Sequence, residues 1–246
     1  MNRPTAQTKH PSSSYPPVPP MANSSPYQPA LLRILHGLAA VLMILAVISG
    51  FWVYDIYDQR WLHLGLPKLS DTQGIHGTVG LAFFLLLPAF AVYSFRLGSK
   101  RLVQAKSLQH LTTLGPTLGK PVWWISLHRL VNTLTLLVAT FAVVTGRMMQ
   151  EEWLPKGELH QPWYLAHVAS WVLVVIGIGC HGLLGAKVGG VPLLLSMVKI
   201  EVRSGDAPAT WLQGLATAQV DPVLKGLEII VAIGLVMAFV LPLFSA

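Results

Sequence analysis

Five histidines lie inside long apolar stretches of this 246-residue sequence: His36, His76, His128, His167 and His181. Two of them belong to one stretch, LAHVASWVLVVIGIGCHGLLG, residues 165–185. Burying a polar side chain in apolar surroundings without a partner costs roughly 2–7 kcal/mol. Neutral imidazole is also the commonest nitrogen ligand for metal ions in proteins. These histidines are therefore the first candidates for binding chemistry.

The interval between His167 and His181 predicts that both imidazoles lie on one side of a single helix. Fourteen residues separate them. At about 100° per residue the second ring returns to within about 40° of the first, and at about 1.5 Å per residue the two lie about 21 Å apart along the axis. Rings that point the same way at different depths suit two separate metal centres stacked along the helix.

The composition indicates that these helices cross a membrane. Hydrophobic residues make up 53% of the chain and charged residues only 11%, whereas soluble domains contain about 25% charged residues. A helix needs about 20 apolar residues to cross a bilayer. Five runs are long enough: 31–53, 74–95, 123–146, 164–186 and 226–244. Another apolar run, 188–198, is too short and contains Pro192, so we expect it to lie at the membrane interface.

The net charge of +7 is distributed as a membrane topology predicts. Loop 96–122 carries basic residues and no acidic one, whereas loops 54–73 and 147–163 carry acidic residues beside basic ones. Basic loops stay on the cytoplasmic side of the membrane. We therefore expect a cytoplasmic N-terminus and a C-terminus on the opposite side. Because the membrane topology accounts for the positive net charge, this charge does not indicate nucleic-acid binding.

The chain divides into four predicted parts, and the fold class is an all-α integral membrane protein. Residues 1–30 are rich in Pro and Ser and should form a disordered cytoplasmic tail. Residues 31–190 should form a four-helix transmembrane bundle, 191–225 a cytoplasmic or interfacial connector, and 226–246 a fifth transmembrane helix. Cys180 is the only cysteine, so neither a disulfide nor an iron–sulfur site is expected.

The topology sorts four of the histidines by depth into two pairs. His36 lies near the inner end of the first span, level with His181, and His76 lies near the outer end of the second span, level with His167. A pair of imidazoles fills both axial positions of a haem iron, which favours electron transfer over oxygen chemistry. A structural zinc site would gather four ligands in one place. A proton relay usually includes intramembrane carboxylates, and Glu228 is the only one here.

Glycines accompany the candidate ligands. They are Gly37, Gly77, Gly80, Gly177, Gly179, Gly182 and Gly185. Their missing side chains would let a flat macrocycle approach the backbone. Small residues also pack membrane helices against each other, so either role remains open for each glycine.

The order and spacing of His36, His76, His167 and His181 resemble those of bacterial cytochrome b561 and of the cytochrome b subunits of nickel–iron hydrogenase and formate dehydrogenase. The resemblance covers about residues 30–190. It implies a four-helix bundle that binds two haem b groups, with ligands on the first, second and fourth helices. It also implies electron transfer across the membrane and exchange with quinone. The expected location is a bacterial inner (plasma) membrane or a thylakoid-type membrane.

Three functions remain open from the sequence. The first is the membrane subunit of an oxidoreductase, partnered by a dehydrogenase, hydrogenase or other redox subunit. The second is a stand-alone superoxide/quinone oxidoreductase cytochrome, and the third is a non-redox membrane protein with structural histidines. The sequence contains no flavin or dinucleotide-binding pattern, so we expect a conduit for electrons more than an independent enzyme. A homo-oligomer is compatible with each reading.

Three further polar residues lie at the predicted inner level: Arg33, His128 and Arg129. Each is a candidate contact for a haem propionate or a quinone, because guanidinium groups bind carboxylates well. For the arginines the alternative is snorkelling to the membrane interface. For His128 it is simple packing at a helix end.

Overall fold

The structure of the chain is a computed structural model that describes residues 26–113, 115, 117–149 and 160–240. Every regular element in these ranges is helical: α1 Ala30–Tyr57, α2 Thr72–Arg96, α3 Ala105–Thr112, α4 Pro121–Met148, α5 His160–Ser196, α6 Pro208–Thr217 and α7 Pro222–Val240. Five of them, α1, α2, α4, α5 and α7, are long and apolar enough to cross a membrane. The predicted all-α membrane fold is confirmed.

Helix ends follow local signals that hydropathy does not show. The side chain of Asp71 accepts a hydrogen bond of 3.1 Å from the amide of Gly74 and caps α2. Pro121 and Pro222 begin α4 and α7, where a missing amide proton costs nothing. The helices therefore start a few residues before their predicted apolar runs.

The last turns of α5 follow a sharp kink. Gly190 has φ 64° and ψ −171°, a backbone conformation open essentially only to glycine. Pro192 follows two residues later and supplies no amide proton. The apolar run 188–198, predicted to lie at the membrane interface, is helical as far as Ser196, and the kink at Gly190 separates most of it from the long part of α5.

The membrane helices form two antiparallel pairs that face each other. Helix α4 packs along α5, and α1 packs along α2, whereas α1 and α5 touch only sparsely. At the α4–α5 contact, a Cβ on Gly177 would lie 2.8 Å from the hydroxyl of Thr135, so this glycine permits close helix packing. The space that remains between the two pairs is where the histidines meet.

Helix α7 is part of the hydrophobic core. It packs against α2 and α4, and Phe84 of α2 stacks on Phe239 with 4.2 Å between ring centres. At the other end of the same contact, the Arg96 guanidinium pairs with Glu228 at 2.7 Å. The core between these three helices is formed by Phe83, Phe84, Leu87, Leu136, Ala139, Leu224, Val231 and Leu235.

The start of α1 is fastened to the connector that precedes α6. The Tyr27 hydroxyl donates to the carboxylate of Asp206, which also accepts a 3.0 Å hydrogen bond from the amide of Ala30. The guanidinium of Arg203 lies 3.9 Å from the centre of the Tyr27 ring. We call Tyr27, Ala30, Arg203 and Asp206 the Asp206 cluster.

The last residues of the tail predicted to be disordered, 1–30, take part in the Asp206 cluster or lie beside it. Residues 1–25 of that tail lie outside the described residues. Tyr27 and Gln28, by contrast, bond to Asp206 and Arg101 through contacts far apart in the sequence, which composition alone does not reveal.

Candidate functional site

Four of the five membrane histidines meet in two pairs. His36 of α1 faces His181 of α5, with 5.9 Å between ring centres. His76 of α2 faces His167 of α5, with 6.0 Å between ring centres. Helix α5 therefore contributes one imidazole to each pair, and the other helix pair contributes the two partners.

The spacing within each pair fits one metal ion between two imidazoles. Two metal–nitrogen bonds of about 2 Å, with about 1 Å more from each nitrogen to its ring centre, give a separation of about 6 Å. No group of three or more metal-ligating side chains occurs among the described residues. Two imidazoles without further protein ligands suit a metal whose other positions are filled by a macrocycle, as in haem.

The ring of His181 is oriented by Asn132 of α4. Nδ1 of His181 donates to the side-chain oxygen of Asn132 at 2.7 Å. The Asn132 amide nitrogen in turn donates to the backbone carbonyl of Arg101 at 3.0 Å. That second bond fixes which end of the amide faces His181, so Nδ1 carries the proton and Nε2 is left to bind a metal.

The other pair shows the same tautomer. Nδ1 of His167 lies 3.0 Å from the carbonyl oxygen of Ala142 and 3.1 Å from the hydroxyl of Thr145. Nδ1 of His76 lies 3.0 Å from the hydroxyl of Ser49. Both hydroxyls already donate their protons to carbonyls of their own helices. They therefore accept from the imidazoles, and Nε2 is again the free nitrogen.

A cavity of about 550 Å³ surrounds the His36–His181 pair. Its volume falls within the roughly 300–1,000 Å³ of ordinary ligand sites. Apolar side chains of α1, α2 and α4 line most of it, among them Met43, Phe90 and Leu136. Lys100 and Arg101, which belong to the connection between α2 and α4, also line it. An apolar cavity with cations at one end fits a flat apolar group that carries carboxylates.

Two glycines lie against the His76–His167 pair. A Cβ on Gly50 would lie 3.1 Å from Cε1 of His76, and a Cβ on Gly146 would lie 3.0 Å from Cε1 of His167. Both separations are tighter than normal van der Waals contact. The absence of side chains here lets each imidazole pack directly on a neighbouring backbone.

The glycines singled out from the sequence differ in what surrounds them. Gly182 and Gly185 line the cavity around His181. A Cβ on Gly37, Gly80 or Gly179 would meet open space. Gly177 instead packs on Thr135 between two helices.

Of the three further polar residues, Arg33, His128 and Arg129, two lie at the cavity and one does not. His128 and Arg129 line the cavity. The His128 ring lies 5.4 Å from that of His181, and its Nε2 is buried with no hydrogen-bond partner among the described residues. Arg33 is placed differently, because its guanidinium donates to the carbonyl of Glu201 and lies over Tyr27. It is a contact of the connector and does not line the cavity.

Sequence reasoning missed the residues that orient the imidazoles. These are Asn132, Ser49 and Thr145, together with the glycines Gly50 and Gly146 and the cavity cation Arg101. Asn132 gave the clearest available signal, since an amide inside an apolar helix needs a hydrogen-bond partner. The hydroxyls gave none, because Ser and Thr in membrane helices commonly bond to their own backbone.

The family of the chain follows from comparison with known proteins. The family model for prokaryotic cytochrome b561 matches residues 27–199, which is more than half of the chain and is the range in which the four paired histidines lie. No curated protein and no solved structure gives a significant match. The chain therefore belongs to the prokaryotic cytochrome b561 family, the membrane b-type cytochromes that carry haem b and transfer electrons across membranes.

Proposed function

We propose that this protein binds two haem b groups and conducts electrons across the membrane between a redox partner and quinone. The proposal rests on two imidazole pairs. In each pair the ring centres lie about 6 Å apart, and one imidazole of each pair belongs to α5. In three of the four imidazoles a hydrogen bond at Nδ1 leaves Nε2 available. When bound, haem supplies an iron that takes up and releases one electron at a time.

The protein's own residues would hold and shield these groups. His36 with His181, and His76 with His167, would each hold the iron of one haem. The apolar lining excludes water, and Arg101 and Arg129 would neutralise propionate carboxylates at one end of the cavity. His128, with an unused buried Nε2, would donate a hydrogen bond to a propionate or to a quinone carbonyl.

The charge pattern supports an orientation with the His36–His181 pair nearer the cytoplasm. Lys100, Arg101, Lys106 and Lys120 all belong to the loop at that end of the bundle. The N-terminus would then be cytoplasmic and the end of α7 on the opposite side. A redox subunit such as a dehydrogenase or hydrogenase would exchange electrons with one pair and quinone with the other.

The decisive experiment counts haem in the purified protein by the pyridine haemochrome method and repeats the count in single variants. The wild type should contain two haems per chain. His181→Ala and His167→Ala should each retain one, because each removes an axial ligand from a different pair. His128→Ala is the matched control, since it removes a nearby imidazole and should retain both.

Other counts would refute the assignment in different ways. Loss of one haem in His128→Ala, together with retention of both in His36→Ala, would show that His128 binds the iron and that the pairing with His36 is wrong. A colourless wild type, made with ample haem, would favour structural histidines. Reduction of the isolated chain by superoxide, with electrons passed on to quinone, would favour the stand-alone cytochrome over the subunit.

A further inference from the structure

The two imidazole pairs differ in what accepts the proton of Nδ1. His167 donates to a backbone carbonyl and to a hydroxyl, and His76 donates to a hydroxyl. His181 alone donates to a side-chain amide, and its 2.7 Å bond to Asn132 is the shortest of the four contacts. His36, the partner of His181, makes no hydrogen bond within the described part of the chain.

We infer that Asn132 is a positioning residue that sets how strongly His181 binds and donates electron density to its metal, and so makes the two centres inequivalent. This inference rests on the proposed function, in which His181 is an axial ligand of haem iron. It adds a residue that tunes the chemistry of that ligand without touching the cofactor's metal.

The geometry allows Asn132 only one orientation. Its amide nitrogen donates to the Arg101 carbonyl at 3.0 Å, while its oxygen accepts from His181. A flipped amide would set oxygen against carbonyl oxygen and nitrogen against the Nδ1 proton, and both hydrogen bonds would be lost. The loop before α3 thus holds Asn132, and Asn132 holds the imidazole.

The chemical consequence follows from the acceptor. A stronger acceptor at Nδ1 draws the proton away and gives the imidazole partial imidazolate character, which makes it a more basic ligand. A more basic ligand stabilises the oxidised metal and lowers its reduction potential, since hydrogen bonding to the ligands is one of the protein's means of setting that potential. Because His36 has no such acceptor, the hydrogen bond from Nδ1 changes the basicity of only one imidazole of the pair, His181.

The test is a spectroscopic redox titration of the purified holoprotein with three substitutions at Asn132. Asn132→Asp offers a charged acceptor and should lower the potential of one of the two haems. Asn132→Leu offers none and should raise the potential of the same haem, with a roughly 10–100-fold loss of haem affinity at that site. Asn132→Ser keeps a weaker acceptor and should fall between wild type and Leu. Low-spin electron paramagnetic resonance signals should shift in the same order.

Two control variants make the assignment specific to the pair. Ser49→Ala removes the acceptor of His76 and should raise the potential of the other haem only. Thr140→Val changes a buried residue of α4 whose hydroxyl bonds to its own helix, at Leu136, and it should move neither potential.

The inference fails if the Asp and Leu variants that bind haem shift the potential in the same direction or not at all. Equal loss of haem in all three variants would also overturn it, because it would show a role in folding alone. Absence of haem from the wild type would instead refute the proposed function.

Discussion

The imidazole of His167 is held at one edge by α4. Its Nδ1 faces Ala142 and Thr145, while its Cε1 would lie 3.0 Å from any Cβ at position 146. A ring fixed at this edge by hydrogen bonds to α4 cannot move away from a new side chain there without breaking them. At the residue scale, the orientation of this candidate ligand therefore depends on a glycine as much as on a polar group.

Enlarging Gly146 should remove one haem selectively. Gly146→Val places two methyl groups where the ring now lies, so the protein should retain one haem per chain, the one bound by His36 and His181. Gly146→Ala should keep both with weaker binding at one site. Haem counts of the purified variants measure this. Gly226→Val, at a position where a Cβ meets open space, is the control and should retain both. Two haems in Gly146→Val would contradict the packing argument.

At the scale of elements, one ion pair and one aromatic contact lie along the interface that α7 makes with α2. The Arg96–Glu228 pair joins α2 to the start of α7, and Phe84 stacks on Phe239 farther along. The pair is partly exposed, with 40% of the Arg96 side chain accessible. Exposed pairs are worth at most about 1 kcal/mol, so apolar packing supplies most of the attachment.

Charge reversal tests this contact. Glu228→Arg sets two guanidinium groups against each other and should lower the melting temperature of the detergent-solubilised protein, because like charges repel. The double variant Arg96→Glu with Glu228→Arg restores an opposite-charge pair and should recover most of the loss. If the double variant is as unstable as the two single losses added together, the pair does not fasten α7.

Which features of this protein can be predicted from its sequence depends on how far apart in the sequence the interacting residues lie. Hydropathy located all five spans, since each span is a local property of about 20 residues. The interval from His167 to His181 placed two rings on one face, because helical geometry is also local. The bond from His181 to Asn132 joins residues 49 positions apart on different helices, and the Tyr27–Asp206 bond joins residues 179 apart. Such contacts depend on which helices become neighbours, which no local pattern encodes.

At the scale of the whole molecule, the Asp206 cluster closes the chain by joining the start of α1 to the connector before α6. Burial alone would raise the pKa of Asp206, but hydrogen bonds from Tyr27 and from the amides of Arg203 and Ala30 outweigh it and lower the pKa below its ordinary value. A carboxylate with a lowered pKa stabilises the fold when it is ionised. Its contribution is complete above the unfolded pKa of about 3.9 and is lost as the pH falls through the lower folded value.

This linkage predicts a stability difference that depends on pH. Asp206→Asn should lower the melting temperature at pH 7, because the wild-type carboxylate is ionised at that pH and accepts its hydrogen bonds as an anion. The difference from wild type should begin to shrink below about pH 4, where the unfolded carboxyl takes up a proton, and should disappear only below the lower pKa of folded Asp206. Thermal unfolding of both proteins between pH 3 and 7 measures it. A difference that stays constant over that range would exclude ionisation of Asp206 as the cause.

The placement of His167 and His181 on one uninterrupted part of α5 has a consequence for how the protein tolerates change. The distance between them is fixed by the rise of one helix. A tilt of α1 or α2 therefore moves His36 or His76 without changing the distance between His167 and His181. An insertion of one residue between them would turn one imidazole by about 100° relative to the other. The two sites should therefore tolerate substitutions in residues 168–180 better than insertions or deletions there. The kink at Gly190 lies beyond both histidines and does not affect their spacing.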